Sequence, residues 1–354
     1  MAHPIPYLDD GIGSDTALTF LDEPVVSMDE GLSAYLHAMR ARTSPTRAIL
    51  VLSHGAHLTP AFDRFVDVAG CAVLVKDPYD GYRTLRSGRW APSIDAFATD
   101  GPAPAASTVP PHWQLDTRIP VLGLSVSLFH PARRSTVLGR CAELVVEHLM
   151  PPDTTLSWGR YEPAGAPWNP KDMTTLARRG MPSITFMLAA HGPNGTDGTD
   201  GSVLSGTLSV SRTSTGLEEY LELVINPRWL TLPQWSSHYM AALSAIGTVL
   251  KPQFALAHRT LGYADGCLPA GPRPVPTPLA VLIGAPGIKQ LGVDAAAVAT
   301  QHHGSLTGTG RRHGILVPLE TGTEADWNAL ARLLTTLDGT GGNLARVLGS
   351  TEQA

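Results

Sequence analysis

Cysteine is scarce in this chain. Cys71, Cys141 and Cys267 are an odd number, widely spaced, with no CxxC pair. That excludes a four-cysteine zinc ribbon and supplies no disulfide framework. Cys71 opens an apolar run and Cys141 falls among helix-core positions, so both read as small buried hydrophobes. Aromatic residues make up 6% and charged residues 16%, with no excess of basic ones: the net charge is −5. Such a balance argues against nucleic acid or an anionic membrane as the main partner. No apolar run is long enough to cross a bilayer. The opening MAHPIPYLDD has neither a basic nor an apolar segment of the signal-peptide kind. These absences lead us to expect a cytoplasmic protein without membrane insertion.

Signatures of catalysis are missing too. No GxxxxGK[ST] phosphate loop, HExxH helix or EF-hand loop occurs. The nearest approach to a GxSxG nucleophile turn, Gly123-Leu124-Ser125-Val126-Ser127, lacks the final glycine and falls inside an expected strand. Gly308-Thr309-Gly310 lacks the third glycine of a dinucleotide loop and precedes a strand. The loop at 192–201, GPNGTDGTDG, is a single Gly/Asp copy, too little to build a calcium ladder. We assign no catalytic, cofactor-binding or metal-ligating residue and expect no cofactor.

What the chain does have is alternation. Over residues 203–225, Leu204, Leu208 and Val210 fall on one face of a first strand, with Ser205, Thr207, Ser209 and Ser211 on the other. Leu217, Leu221, Leu223 and Ile225 share a face of a second strand, with Glu218, Tyr220 and Glu222 opposite. A period of two over both arms predicts a half-buried hairpin. With the loop taken as Ser214–Leu217, Arg212 stands opposite Glu219 as a charge pair at the rim.

A length of 354 residues favours two domains, each able to bury a core. Residues 1–26 show little pattern. Ser27 with Glu30 caps a helix that carries Leu32, Tyr35, Leu36 and Met39 inward. Ala48–Ser53 reads as a buried strand. Thr59-Pro60 opens a helix bearing Phe62, Phe65, Val66 and Ala69, which Gly70 stops. Strands Cys71–Lys76 and Tyr82–Leu85 complete a small αβαββ unit over 1–95. Residues 96–118, rich in Pro, Ala and Ser, read as a linker.

From 119 to 340 the pattern is a strand at Pro120–Phe129, then a helix with Val137, Leu138, Cys141, Leu144, Val145 and Leu149 inward. Asn169-Pro170 starts a second helix, and Ser183–Ala190 is a strand leading to the hairpin. Thr231 with Gln234 makes a capping box for a helix burying Trp235, Tyr239, Leu243 and Ile246. Strands follow at Phe254–His258, Leu279–Ile283 and Ile315–Leu319. Thr323 and Asp326 cap a closing helix with Trp327, Leu330, Leu334 and Leu337 on one face, and 341–354 is a tail. The expected class is α+β, with a mainly antiparallel sheet covered on one side by helices, beside a smaller N-terminal α/β unit.

Candidate interaction residues are Arg212, Thr213, Glu218 and Glu219 at the hairpin, with Trp158 and Trp168 in the preceding loop. As structure, Arg212 and Glu219 are a cross-strand pair and the tryptophans are packing; as function, they anchor a partner. The doublets Arg133–Arg134, Arg178–Arg179 and Arg311–Arg312 read as solvated faces or carbonyl caps. His54 and His57, in Ser53-His54-Gly55-Ala56-His57 after a buried strand, are the candidates for chemistry by a base or metal. His302-His303 is a weaker pair in a Gly-rich loop.

The segment WGRYEPAGAPWNPKDMTTLARRG (158–180), followed by SRTSTGLEEYLEL (211–223), resembles an uncharacterised actinobacterial family of unknown function. The likeness extends upstream through LTPAFDRFVDVAG and downstream to the closing Trp-bearing helix; loop 192–201 departs from it as an insertion. Members are associated with type VII (ESX-like) secretion loci, and the resemblance supplies no catalytic residues. It implies a non-enzymatic interaction protein, accessory to such secretion, that engages a protein partner through the hairpin and the Trp loop. The alternatives are a hydrolase or metal enzyme using the His54/His57 loop, and an immunity-type toxin-binding protein. Nothing in the sequence fixes the oligomeric state.

Overall fold

The computed structural model describes Tyr7 and residues 10–12, 16–41, 47–98, 118–192, 203–214, 216–308, 313–319 and 324–338. Most of the expected linker, nearly all of the Gly/Asp loop, Arg311–Arg312, the cap Thr323 and the tail lie outside these residues. The chain divides into two compact units. One comprises Met1–Ile119 with Gly159–Gly165 and Leu261–Pro274; the other holds the remaining residues, Pro120–Trp158, Ala166–Thr260 and Val275–Ala354.

The first unit starts earlier than its sequence pattern suggests. β1 (Asp10–Ile12), β2 (Thr16–Leu21) and β3 (Val25–Val26) occupy the stretch that showed little pattern. TALTFL of β2 is hidden from periodicity because it is buried almost throughout, so no alternation survives. α1 (Glu30–Arg40), β4 (Arg47–Leu52), β5 (His57–Leu58), α2 (Pro60–Ala69), β6 (Ala72–Lys76), β7 (Tyr82–Thr84), β8 (Trp90–Ala91) and α3 (Asp95–Ala98) follow. The cap of α1 is Asp29, whose carboxylate accepts from the Leu32 amide at 2.7 Å, and not Ser27. Thr59 caps α2 by accepting from Phe62, and Gly70 ends it at φ 68°. A cap of this kind contributes about 1 kcal/mol. The sheet order is β1-β2-β4-β6-β7-β8, with β2, β4 and β6 parallel. Leu18, Ile49, Val51 and Leu74 pack with Phe97 on one of its faces.

In the second unit come β9 (Ile119–His130), α4 (Arg140–Leu149), β10 (Thr155–Gly159), β11 (Ala166–Pro167), α5 (Pro170–Arg179) and β12 (Ser183–His191). The hairpin is β13 (Val203–Thr213) and β14 (Gly216–Asn226). α6 (Leu232–Val249), β15 (Phe254–Gly262), β17 (Thr277–Ile283), α7 (Ala285–Leu291), α8 (Ala295–Gln301), β18 (Ser305–Thr307), β19 (Gly314–Pro318) and α9 (Glu324–Asp338) complete the unit, while β16 (Leu268–Pro269), between β15 and β17, falls in a segment of the first unit. One ten-stranded sheet runs β11-β10-β12-β13-β14-β9-β15-β17-β19-β18, mostly antiparallel. The class is α+β, and the hairpin lies in mid-sheet.

Asn169 caps α5 through the Lys171 and Asp172 amides, and Thr231 with Gln234 forms the capping box of α6. Their inward faces join α4 on the hairpin's apolar side, where Leu204, Leu208, Val210, Leu221, Leu223 and Ile225 are buried. A one-sided cover is too simple, however. Val281, Ile283, Ile315 and Val317 form a second core with Ile288, Leu291, Val298, Leu330, Leu333 and Leu337, so α7, α8 and α9 cover the opposite face at the β17–β19 end. Two inward assignments also change. Val137 precedes α4 and is 49% exposed, while Trp327 is 44% exposed because α9 turns Leu330, Leu333 and Leu337 to the core.

The two short segments counted with the first unit are held there by specific bonds. Leu268–Pro269 pairs antiparallel with β5, which runs parallel to β3. Half-buried Glu162 accepts from the Met28 amide at 2.7 Å and the Thr59 hydroxyl at 2.6 Å. Its carboxyl is pushed up by burial, against these two hydrogen bonds.

Candidate functional site

The hairpin turn is tighter than its sequence suggests. Thr213 pairs with Gly216, leaving only two residues between the strands. Consequently Arg212 stands opposite Leu217 and Glu219 opposite Val210. The expected Arg212–Glu219 pair does not form, although both residues keep the predicted face. The cause is Gly216: a Cβ there would lie 2.4 Å from the His130 carbonyl oxygen of β9. This close approach makes Gly216 a strand residue beside β9, where a turn residue was expected.

Glu219 points inward and is 1% exposed. Its Oε2 lies 2.9 Å from His130 Nε2, and its Oε1 accepts from the Gly139 amide at 3.2 Å. Gly139 caps α4 at φ 92°, a left-handed conformation, and a Cβ there would meet the Trp168 ring at 2.7 Å. The carboxylate thus ties hairpin, β9 and the start of α4 together, and the negative charge sits favourably near a helix N-terminus. Glu218, on the other face, is half-buried and accepts from the Ser127 hydroxyl at 3.0 Å.

Both tryptophans are packed and hydrogen-bonded. Trp158 lies edge-on to Phe186 with ring centroids 5.4 Å apart, and its Nε1 donates to the Pro167 carbonyl at 3.0 Å. Trp168 donates to Glu143 Oε1 at 3.0 Å. Each is partly buried against the main core.

Arg212 and Ser214 at the tip are exposed. The Arg212 amide donates to the Pro182 carbonyl at 2.8 Å, which sets the tip beside the end of α5. Arg178 of α5 donates to the carbonyls of Arg134 and Thr136 at 2.6 and 3.1 Å, the carbonyl-capping role its doublet suggested. Loop 131–139 is further closed by Thr136 Oγ1 donating to the Pro131 carbonyl at 2.6 Å. Two of the arginine doublets and Arg212, far apart in sequence, therefore gather at one end of the sheet.

In the first unit, the His54/His57 loop follows β4. His57 Nδ1 lies 2.9 Å from Asp265 Oδ2, and the ring stacks on Tyr263 at 3.7 Å with 7° between planes. Asp265 is remote in sequence and no local signal marks it. Nearby in the chain, Ser53 Oγ and Lys76 Nζ both donate to Asp22, at 2.8 and 3.1 Å. The bond from Ser53, then that from Lys76, holds the Asp22 carboxyl below the ordinary range. Among the described residues no group of three or more His, Cys, Asp or Glu is arranged to hold a metal. His302 shares a hydrogen bond with Thr336 at 2.9 Å, and His303 is exposed.

The cysteines are unpaired, and burial raises all three thiols. Cys71 is pushed up to about 11 by burial, while Cys141 and Cys267 rise by burial first and by neighbouring Glu219 and Asp265 second. Thiolate is the reactive form, so Ellman's reagent at about pH 8 is expected to titrate the folded chain slowly and all three cysteines at once in urea. One thiol reacting natively at the rate of a free cysteine would contradict this.

A family model described as "DUF6177, C-terminal domain" matches residues 121–339. Among curated proteins none matches. Two solved structures from Pseudomonas aeruginosa show partial likeness. The T6SS protein PA0821 is 14% identical over 65% of this chain and 84% of that one, with a TM-score of 0.35. The toxic C-terminal tip of CdiA in complex with immune protein is 12% identical over 40% and 86%, with a TM-score of 0.25. Scores this low carry no argument about function.

Proposed function

The chain belongs to the family described as DUF6177, and from that ground we propose that it is a non-enzymatic interaction protein that engages a protein partner through its hairpin-tip end. The observation carrying this reading is the tip itself: Arg212 and Ser214 are exposed on a turn held by mid-sheet strands and by the Pro182 contact. A short turn on paired strands presents its side chains at little ordering cost. The partner-facing set is Arg212, Thr213 and Glu218, with Trp158, Trp168 and Glu219 supporting it from behind. The likeness of 158–180 and 211–223 to proteins encoded near type VII secretion genes supports an accessory, cytoplasmic role in such a system. An immunity-type role would use the same surface with a toxin as partner.

A second reading has one observation in its favour. Asp265 orients His57, as a carboxylate orients a general base. Metal analysis of the purified chain, with His54→Ala and His57→Ala tested in the host, decides it: no bound metal and unchanged behaviour remove the enzyme reading.

The main reading is tested by a photo-crosslinker placed at Ser214 and, for comparison, at exposed Ala297 on α8, in the native host. A distinct adduct from Ser214 that Ala297 does not give is the expected result. Equal adducts, or none from Ser214, would overturn it.

A further inference from the structure

We propose that the hairpin-tip end of the second unit docks an acidic protein segment that also presents apolar side chains. This rests on the reading of the tip as the partner surface and names the partner's chemistry. Segments 131–139, 178–183 and 211–216 contain Arg133, Arg134, Arg178, Arg179 and Arg212 and no Asp or Glu, in a chain whose net charge is −5. The fold brings them together: Arg178 binds the 131–139 loop, and Arg212 hangs its amide on Pro182 just beyond α5. Arg133, Arg134, Arg179 and Arg212 are exposed. No carboxylate among the described residues forms an ion pair with any of these four.

Several like charges held on a closed loop, a helix end and a hairpin turn repel one another. Their field favours a partner of opposite sign and speeds its encounter. Arginine also offers a planar donor fork that matches carboxylates in pairs. In the same loop as Arg133 and Arg134, Val137 is 49% exposed. An exposed apolar side chain among arginines fits a polypeptide that carries both carboxylates and hydrophobes. A nucleic acid would meet the arginines but leave Val137 little to bind, and the acidic remainder of the chain would repel a long polyanion.

The test uses the full chain and a labelled acidic peptide interspersed with Leu and Phe. Three comparison probes are the same peptide with Ser for the apolar residues, a basic scramble, and a single-stranded oligonucleotide of equal charge. Fluorescence anisotropy is expected to rank the acidic–apolar peptide first. Charge reversal at R133E, R134E and R212E together is expected to weaken its binding roughly tenfold or more, and salt to weaken it further. Arg178 is left intact because it braces the loop, and R332E on α9 serves as an exposed control that should bind as the unaltered chain does. V137S is expected to reduce binding of the apolar peptide and not that of its Ser counterpart. An oligonucleotide that binds more tightly, a triple variant that binds as well as the unaltered chain, or no binding by any peptide would each overturn the proposal. The Ser214 crosslink separates the two levels. A triple variant that retains the adduct sinks the acidic assignment alone, whereas an unaltered chain that gives none sinks the tip reading beneath it.

Discussion

Glu219→Ala is expected to lower the stability of the second unit by about 3 kcal/mol, seen as a shift of the urea midpoint. The carboxylate is buried and accepts from two donors, His130 Nε2 and the Gly139 amide. Removing it leaves an amide at the start of α4 without its acceptor and opens a cavity between β14, β9 and the helix. An unmade bond at a buried donor costs more than the bond's net contribution when present. Glu219→Gln separates charge from connectivity: its carbonyl can still accept from Gly139 and its amide can face His130, so a loss of about 1 kcal/mol is expected. Equal losses in the two variants would mean that the negative charge near the helix start dominates. No loss in either would mean that the carboxylate does not brace the tip.

The same residue shows what the sequence could reveal and what it could not. Alternation placed Glu219 correctly on the apolar face, because side-chain direction follows from period two. Its partners were illegible, since register depends on the turn, and Ser214-Thr215 carries none of the Asn-Gly or Asp-Gly signals of a two-residue turn. The glycine that fixes the register does so through β9, a strand nearly ninety positions upstream. The caps at Thr59, Asn169 and Thr231 were legible, since each closes its bond within three residues. Asp29 escaped because Ser27 with Glu30 satisfied the same spacing rule two positions earlier.

Buried strands fared unevenly for a similar reason. AILVL of β4 stood out as a continuous apolar run, whereas TALTFL of β2 contains two threonines that the fold nevertheless buries with it. Thr19, fully buried, interrupts the run without leaving the core. Pairings across long sequence separations could not be read at all. His57 meets Asp265 across 208 residues, and the five arginines converge only once α5, β9 and the hairpin are assembled. The doublets were visible; their meeting was not.

Phe186→Ala is expected to cost about 3–5 kcal/mol, the range for deleting a fully buried aromatic ring. Phe186 is 0% exposed on β12, next to the hairpin, and Trp158 of β10 stands edge-on against it. Of that loss, roughly 0.5–1.5 kcal/mol belongs to the ring–ring geometry itself. Near-UV circular dichroism should report a loosened Trp158 environment even where the chain remains folded. Trp158→Ala is expected to destabilise less, because that indole is only partly buried. If Trp158 were a free aromatic anchor for a partner, the opposite pattern would hold: Trp158→Ala would leave stability untouched and abolish the Ser214 adduct. The edge-on contact and the Nε1 bond to Pro167 favour the packing role. A Phe186→Ala loss below about 1 kcal/mol would show that the β10–β12 edge yields too readily to hold the hairpin rigid. The preorganised tip, on which the binding account depends, would then lose its physical basis.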